Sequence, residues 1–125
     1  MEIIAVIEDN VLTGDMITEI LMKEGFRVLR AYSGTEALYL IQQNKPDLIL
    51  LDLVLPGLDG EGVLEHIKGI PVIILSSKAE VEDKINLLNE GACDYITKPF
   101  NAGELIARIF VQLRKEKNSG NHIKK

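Results

Sequence analysis

The chain has 125 residues, of which 46% are hydrophobic and 26% charged, with a net charge of −5 and one cysteine. That length and composition fit one domain with a buried core, and no apolar run reaches the roughly 20 residues that cross a bilayer. The start "MEIIAVIEDN" lacks the basic stretch of a secretory signal. A lone Cys93 excludes an internal disulfide, and together these features read as a cytoplasmic protein with no membrane contact.

Taken in chain order, short apolar runs alternate with amphipathic stretches. Ile3–Ile7 ("IIAVI") is a β-branched strand. Asn10–Glu24 places Val11, Ile17, Ile20 and Leu21 at helical spacing, and Gly25 stops it. Phe26–Ala31 alternates as a half-buried strand. Ser33, with Glu36 three residues later, is a capping-box signature for a helix running to about Gln43. Leu48–Leu51 is apolar throughout, as a strand covered on both faces is. A helix from about Gly60 to Lys68 comes next, then a strand at Pro71–Leu75 and a helix over Glu80–Asn89. "CDYIT" is the fifth strand, and the last helix runs from Ala102 to about Lys117. This alternation predicts an α/β fold: a single-domain, flavodoxin-like, doubly wound parallel sheet of five strands, order 2-1-3-4-5, with five helices.

Charge is unevenly spread. The last twelve residues, "RKEKNSGNHIKK", carry five Lys/Arg against one Glu, which leaves the rest of the chain near −9. An acidic body argues against nucleic-acid binding by the domain itself. The basic end reads as a solvated tail or the beginning of a linker.

In a sheet of that order the ligand crevice opens at the carboxyl ends of the first and third strands. Glu8 and Asp9 follow the first strand, Asp52 the third, Ser76 and Ser77 the fourth, Lys98 and Pro99 the fifth. Three carboxylates at one edge repel each other unless a cation joins them. Oxygen donors without His or Cys point to a hard divalent ion such as Mg²⁺. With Lys98 and a hydroxyl nearby, the set forms an electrostatic clamp for a transferring phosphoryl group. A carboxylate held there can itself be the nucleophile, and Asp52, at the end of the most apolar strand, is the natural one. Taken singly, each residue has a plainer role: Asp52 as a turn former, Glu8 or Asp9 as a helix cap, Ser76 as a turn hydroxyl, Lys98 as surface charge. Their coincidence at one sheet edge favours the site.

Through "IEDN", "LLDLVLPGLDG", "PVIILSS" and "GACDYITKPF", in that order, the sequence closely resembles the response-regulator receiver domain of two-component signalling, over residues 2 to about 117. The resemblance implies that Asp52 accepts a phosphoryl group from a cognate histidine kinase. It implies Mg²⁺ held by Asp9, Asp52 and the Val54 backbone carbonyl, with Glu8 acting through water. Lys98 pairs with the phosphoryl oxygens, and the Lys98–Pro99 bond is expected to be cis. Ser76 and Tyr95 form the switch pair: the hydroxyl moves to the phosphoryl oxygen and the ring turns inward. Ser77 stands where a small Ala is common. Such a domain is a switch, catalysing only its own phosphorylation and slow dephosphorylation.

A finer resemblance is to the OmpR/PhoB branch, whose receivers form homodimers on phosphorylation through the Glu80–Asn89 helix, the fifth strand and the last helix. Lys84, Asp94, Glu104 and Arg108 match positions of cross-subunit ion pairs, with Glu90 a candidate to join them, and all are equally well read as solvated charges. Cys93 departs from the acidic residue usual in that branch. On this resemblance residues 1–118 are the receiver, and 119–125 a tail or linker stub to a DNA-binding domain absent from this chain. DNA would be met only through that domain. The alternative is a stand-alone receiver acting as a phosphorelay intermediate or interaction switch.

Other readings fit less well. A haloacid-dehalogenase-like phosphohydrolase needs Asp-x-Asp after its first strand, where Glu8 and Asp9 are adjacent. A nucleotide or flavin module needs a glycine-rich phosphate loop, where "IEDNVLTG" is acidic. A degenerate receiver would lack some of Glu8, Asp9, Asp52, Ser76 and Lys98. His66 reads as a surface or packing histidine, His122 as part of the tail, Cys93 as an inert buried or interface thiol. Met16 and Met22 pack on the first helix, where Thr13, Ile17 and Leu21 are candidate kinase contacts.

Overall fold

Five short strands set the architecture: β1 (Ile3–Ile7), β2 (Arg27–Ala31), β3 (Leu48–Asp52), β4 (Val72–Ser77) and β5 (Asp94–Lys98). All neighbours are parallel, in the order β2-β1-β3-β4-β5. The computed structural model describes residues 2–77 and 91–123, with side chains as far as residue 117. Among the described residues there are four helices, against the five expected: α1 (Val11–Lys23), α2 (Gly34–Gln43), α3 (Gly60–Glu65) and α4 (Ala102–Ile123). The expected Glu80–Asn89 helix, with Lys84 and Glu90, lies outside the described residues.

The pleat sorts the strands' side chains into two cores. Ala5, Ile7, Ile49, Leu51, Val72 and Ile74 face α2 and α3, where Ala37, Val63 and Leu64 cover them. Ile4, Val6, Leu48, Leu50, Ile73, Leu75 and Ile96 face α1 and α4 and meet Ile17, Leu21, Leu105 and Ile109. Alternate residues of a strand point to opposite faces, so β3, buried along its whole length, has to be apolar on both. This is why "LILL" shows no polar alternation.

Local chemistry fixes the helix ends. Asn10, not Asp9, caps α1: its side chain accepts from Thr13 N. At the other end Phe26 N donates to Leu21 O and Gly25 N to Met22 O, with Gly25 at φ +91°. That Schellman closure requires the left-handed residue glycine supplies, and it brings Phe26 into the same core as Leu21. Ser33 Oγ accepts from Glu36 N, while Glu36 Oε1 accepts from Tyr32 N, one residue before the cap.

Three boundaries differ from the sequence expectation by two residues or more. α3 stops at Glu65 instead of near Lys68, because His66 N folds back to Val63 O and its ring nitrogen bonds Gly62 O. β4 continues through Ser76 and Ser77, paired with Thr97 and Lys98 of β5. The helical backbone of α4 passes Lys117 and runs into the expected tail as far as Ile123, with no proline to break it. The β3–α3 loop is tightly seated. Gly34 N donates to Pro56 O and Gly60 N to Leu53 O. A Cβ on Gly34 would overlap the Leu58 carbonyl, and one on Gly60 would press on the Asp52 carbonyl.

Candidate functional site

The same alternation that builds the α1/α4 core delivers three charged residues to one spot. Glu8 continues the series Ile4, Val6; Asp52 continues Leu48, Leu50; Lys98 follows Ile96. Glu8 and Asp52 are each the first polar member of their series, and all three lie at the carboxyl edge of the sheet. Lys98 Nζ donates to Glu8 Oε1 at 2.6 Å and to Asp52 Oδ2 at 3.0 Å. The other oxygens are also held: Val54 N donates to Asp52 Oδ1 at 3.0 Å, and Asn10 N to Glu8 Oε2 at 3.2 Å. Glu8 is fully buried and Asp52 is 5% exposed. Asp9 is exposed, yet offers a carboxylate oxygen so placed that ligand atoms of Glu8, Asp9 and Asp52 all lie within 4.8 Å of one another.

Electrostatically the site is short of positive charge. Burial disfavours the Glu8 carboxylate, and its hydrogen bond with Asp52 disfavours it further. Lys98 offsets this only partly, so the Glu8 pKa is raised to about 7. Burial pulls Lys98 down, but its bonds to Glu8 and Asp52 outweigh that and raise it, keeping it an ammonium. Three carboxylates, oxygen donors alone and a single ammonium fit a hard divalent cation such as Mg²⁺.

Of the remaining expected residues, Ser76 is fully buried, with its Oγ 3.3 Å from Ser77 O. It sits one position past Leu75, the register partner of Asp52. The Tyr95 ring is exposed, and the Lys98–Pro99 bond is cis, as expected. Asp94, Glu104 and Arg108 are brought together, but within this chain. Arg108 Nη1 donates to Asp94 Oδ1 and Oδ2 at 3.0 and 2.9 Å, and Arg108 Nε is 3.6 Å from Glu104 Oε2. Cys93 is exposed, which corrects the buried reading: it precedes β5, outside the pleat. His66 caps the C-terminal end of α3, its ring nitrogen bonded to Gly62 O. Sequence reasoning missed Arg30, whose guanidinium reaches Val6 O near the end of β1 and Glu8 O just past it. Its only signal was an arginine next to the end of a strand, two positions before an aromatic.

A doubly wound parallel sheet with an acid cluster and a lysine at the carboxyl ends of β1, β3 and β5 defines a flavodoxin-like α/β module of the receiver class. The comparisons agree, and this chain belongs to the response regulator receiver domain family, whose model matches residues 4–110. It is similar to the regulatory protein VanRc of Enterococcus gallinarum, 43% identical over 117 residues, covering 91% of this chain and 51% of the relative. It is also similar to the DNA-binding response regulator MtrA of Mycobacterium tuberculosis, 39% identical over 115 residues, covering 90% and 50%. These are regulators of the OmpR/PhoB type, and this chain spans about half the length of the curated relatives it matches. Among solved structures, NtrX from Brucella abortus superposes with a TM-score of 0.92 at 32% identity, covering 98% of this chain and 29% of that one. A CheY-like receiver from Methanospirillum hungatei gives 0.90 at 29% identity, covering 95% and 98%. The chain is thus a receiver domain of two-component response regulators. No helix among the described residues is long and apolar enough to cross a membrane.

Proposed function

We propose that this chain is a phosphorylation-activated switch in which Asp52 accepts a phosphoryl group from a phosphohistidine of its cognate histidine kinase. The observation that carries this reading is the buried Asp52 carboxylate, tied to Lys98 at 3.0 Å and crowded by Glu8 and Asp9. Asp9, Asp52 and the Val54 carbonyl are the residues to hold Mg²⁺, with Glu8 acting through water. Bound there, the ion supplies the positive charge that lets an anionic phosphoryl group approach three carboxylates. An Asp52 oxygen attacks phosphorus while the P–N bond to the imidazole breaks, and the imidazole nitrogen keeps the bonding pair. Lys98, already against Asp52, accompanies the phosphoryl oxygens. Slow attack by water later returns the carboxylate and inorganic phosphate.

The switch pair on this reading is Ser76 and Tyr95. The Ser76 hydroxyl donates to a phosphoryl oxygen, and the exposed Tyr95 ring turns inward. The likeness to VanRc and MtrA supports a role as the regulatory domain of an OmpR-like transcriptional regulator. Phosphorylated chains then pair through β5, α4 and the 80–89 segment. Asp94, Glu104 and Arg108 exchange their internal pairing for cross-subunit contacts, joined by Lys84 and Glu90.

Acetyl phosphate with Mg²⁺ should add one phosphoryl group, read as a gain in intact mass, and Asp52→Asn should abolish it. A gain that survives the substitution overturns the assignment. Sedimentation should show the phosphorylated form shifting toward a dimer, and an unchanged profile removes the pairing.

A further inference from the structure

We propose that Arg30 is a positioning residue for the acid cluster: its guanidinium, seated on Gly14, clamps the peptide group between Glu8 and Asp9 and so fixes where the Asp9 carboxylate is presented. The ladder between β1 and β2 ends where Glu8 N donates to Ala31 O. Beyond that point the chain of β2 turns away, and Tyr32 N goes to Glu36 Oε1. Arg30 supplies a donor where the strand stops doing so. Its Nη1 bonds Glu8 O at 3.1 Å and Val6 O at 3.2 Å. The Glu8 carbonyl is half of the planar unit from which Asp9 hangs, so holding that oxygen fixes the plane and the start of the Asp9 side chain.

The seat is built from both sides. Gly14 is buried at the end of the first turn of α1, and a Cβ there would overlap the Arg30 guanidinium. Glycine is a poor residue for a helix interior, and the arginine explains its presence. The Tyr32 ring closes the other side, with its centroid 4.2 Å from the guanidinium carbon. The arrangement leaves Arg30 Nε and Nη2 buried without a hydrogen-bond partner. An arginine placed only to cover apolar surface would keep its head in water; this one is held inward by two backbone carbonyls.

Two accounts of Arg30 predict opposite signs. If it only balances charge, replacing it by an uncharged residue makes the site more negative and tightens Mg²⁺ binding. If it positions Asp9, the same replacement weakens binding. Gly14→Ala tests the clamp from the α1 side, because it keeps the charge and evicts the far end of a flexible side chain. In the metal-free protein, Arg30→Met and Gly14→Ala should both move the Asp9 and Asn10 amide resonances. Mg²⁺ titration should show affinity roughly tenfold weaker in each, the low end for groups that orient metal ligands. The double variant should be no worse than Arg30→Met, and Arg30→Lys should recover part of the loss. Unmoved Asp9 and Asn10 amides in Arg30→Met, or Mg²⁺ affinity that is equal or tighter, overturn the proposal. If Arg30→Met fails to fold, Gly14→Ala and Arg30→Lys decide by the same readouts. The inference rests on the metal reading only for the titration. Wild-type Mg²⁺ binding that ignores Asp9→Asn would sink that reading, while the metal-free amides still judge the clamp.

Discussion

The two ends of β5 carry the same kinds of charge to different effect. At its start, Asp94 gives both oxygens to Arg108, which also lies near Glu104, and the Arg108 side chain is 41% exposed. At its end, Lys98 faces the buried Glu8 and Asp52 with Asp9 close by. The first set, two carboxylates to one guanidinium, is shared with water, and such pairs are worth about 0–1 kcal/mol. The second is sequestered and has more acid than base, and there the Glu8 and Lys98 pKa values are both raised. Four residues apart on one strand, a charge pair becomes structural or chemical according to burial and balance.

That contrast can be broken most sharply at Lys98. Lys98→Met should slow phosphorylation by acetyl phosphate about 100-fold or more, as expected for loss of a preorganised charge at the transferring group. Asp94→Asn should leave the rate essentially unchanged. Equal rates in the two variants would erase the distinction.

Proton competition gives the next largest effect. The Glu8 pKa is raised to about 7, so the group is mostly protonated at pH 6 and mostly ionised at pH 8. Mg²⁺ binding should therefore be about tenfold weaker at pH 6, with proton release visible by calorimetry in buffers of different ionisation enthalpy. The sign for the metal-free fold follows. A folded pKa above the usual 4.5 favours the native state at low pH, and that contribution is lost as pH rises through about 7.

Asp52→Asn should stabilise the metal-free protein by about 1 kcal/mol. It removes one crowding carboxylate and keeps an oxygen for Val54 N, a typical trade of stability against reactivity. Urea denaturation reads this directly, and a lower midpoint would argue that the cluster is not under repulsion. The smallest effect belongs to the other end of the strand. Arg108→Ala should cost less than about 1 kcal/mol, and a larger loss would show the surface set to be more than solvated charge.

What could be read from the sequence follows from the sheet's period of two. Glu8 and Asp52 each end an apolar series and Lys98 ends β5 just past Ile96, so topology alone brings them together. Asp9 was equally legible as a helix cap, and only the backbone settles that Asn10 takes that role and leaves Asp9 for the cluster. The Asp94–Arg108 contact joins a strand start to a helix face, a pairing no local pattern encodes. α3 looked longer because "GEGVLEHIK" keeps a helical rhythm past the point where His66 bonds backward. Arg30 was invisible for the same kind of reason: its partners are backbone oxygens of another strand, which carry no residue signature.

The seated loop after β3 has a mechanical consequence. Gly34 and Gly60 press backbone against backbone on the α2 and α3 side of Asp52, leaving almost no slack there. Lys98 sits on β5, an edge strand with a single neighbour, and its ammonium is partly exposed. A load placed on the Asp52 carboxylate therefore meets an anvil on one flank and a spring on the other. Any displacement is steered sideways along the sheet, toward the edge that β5 forms.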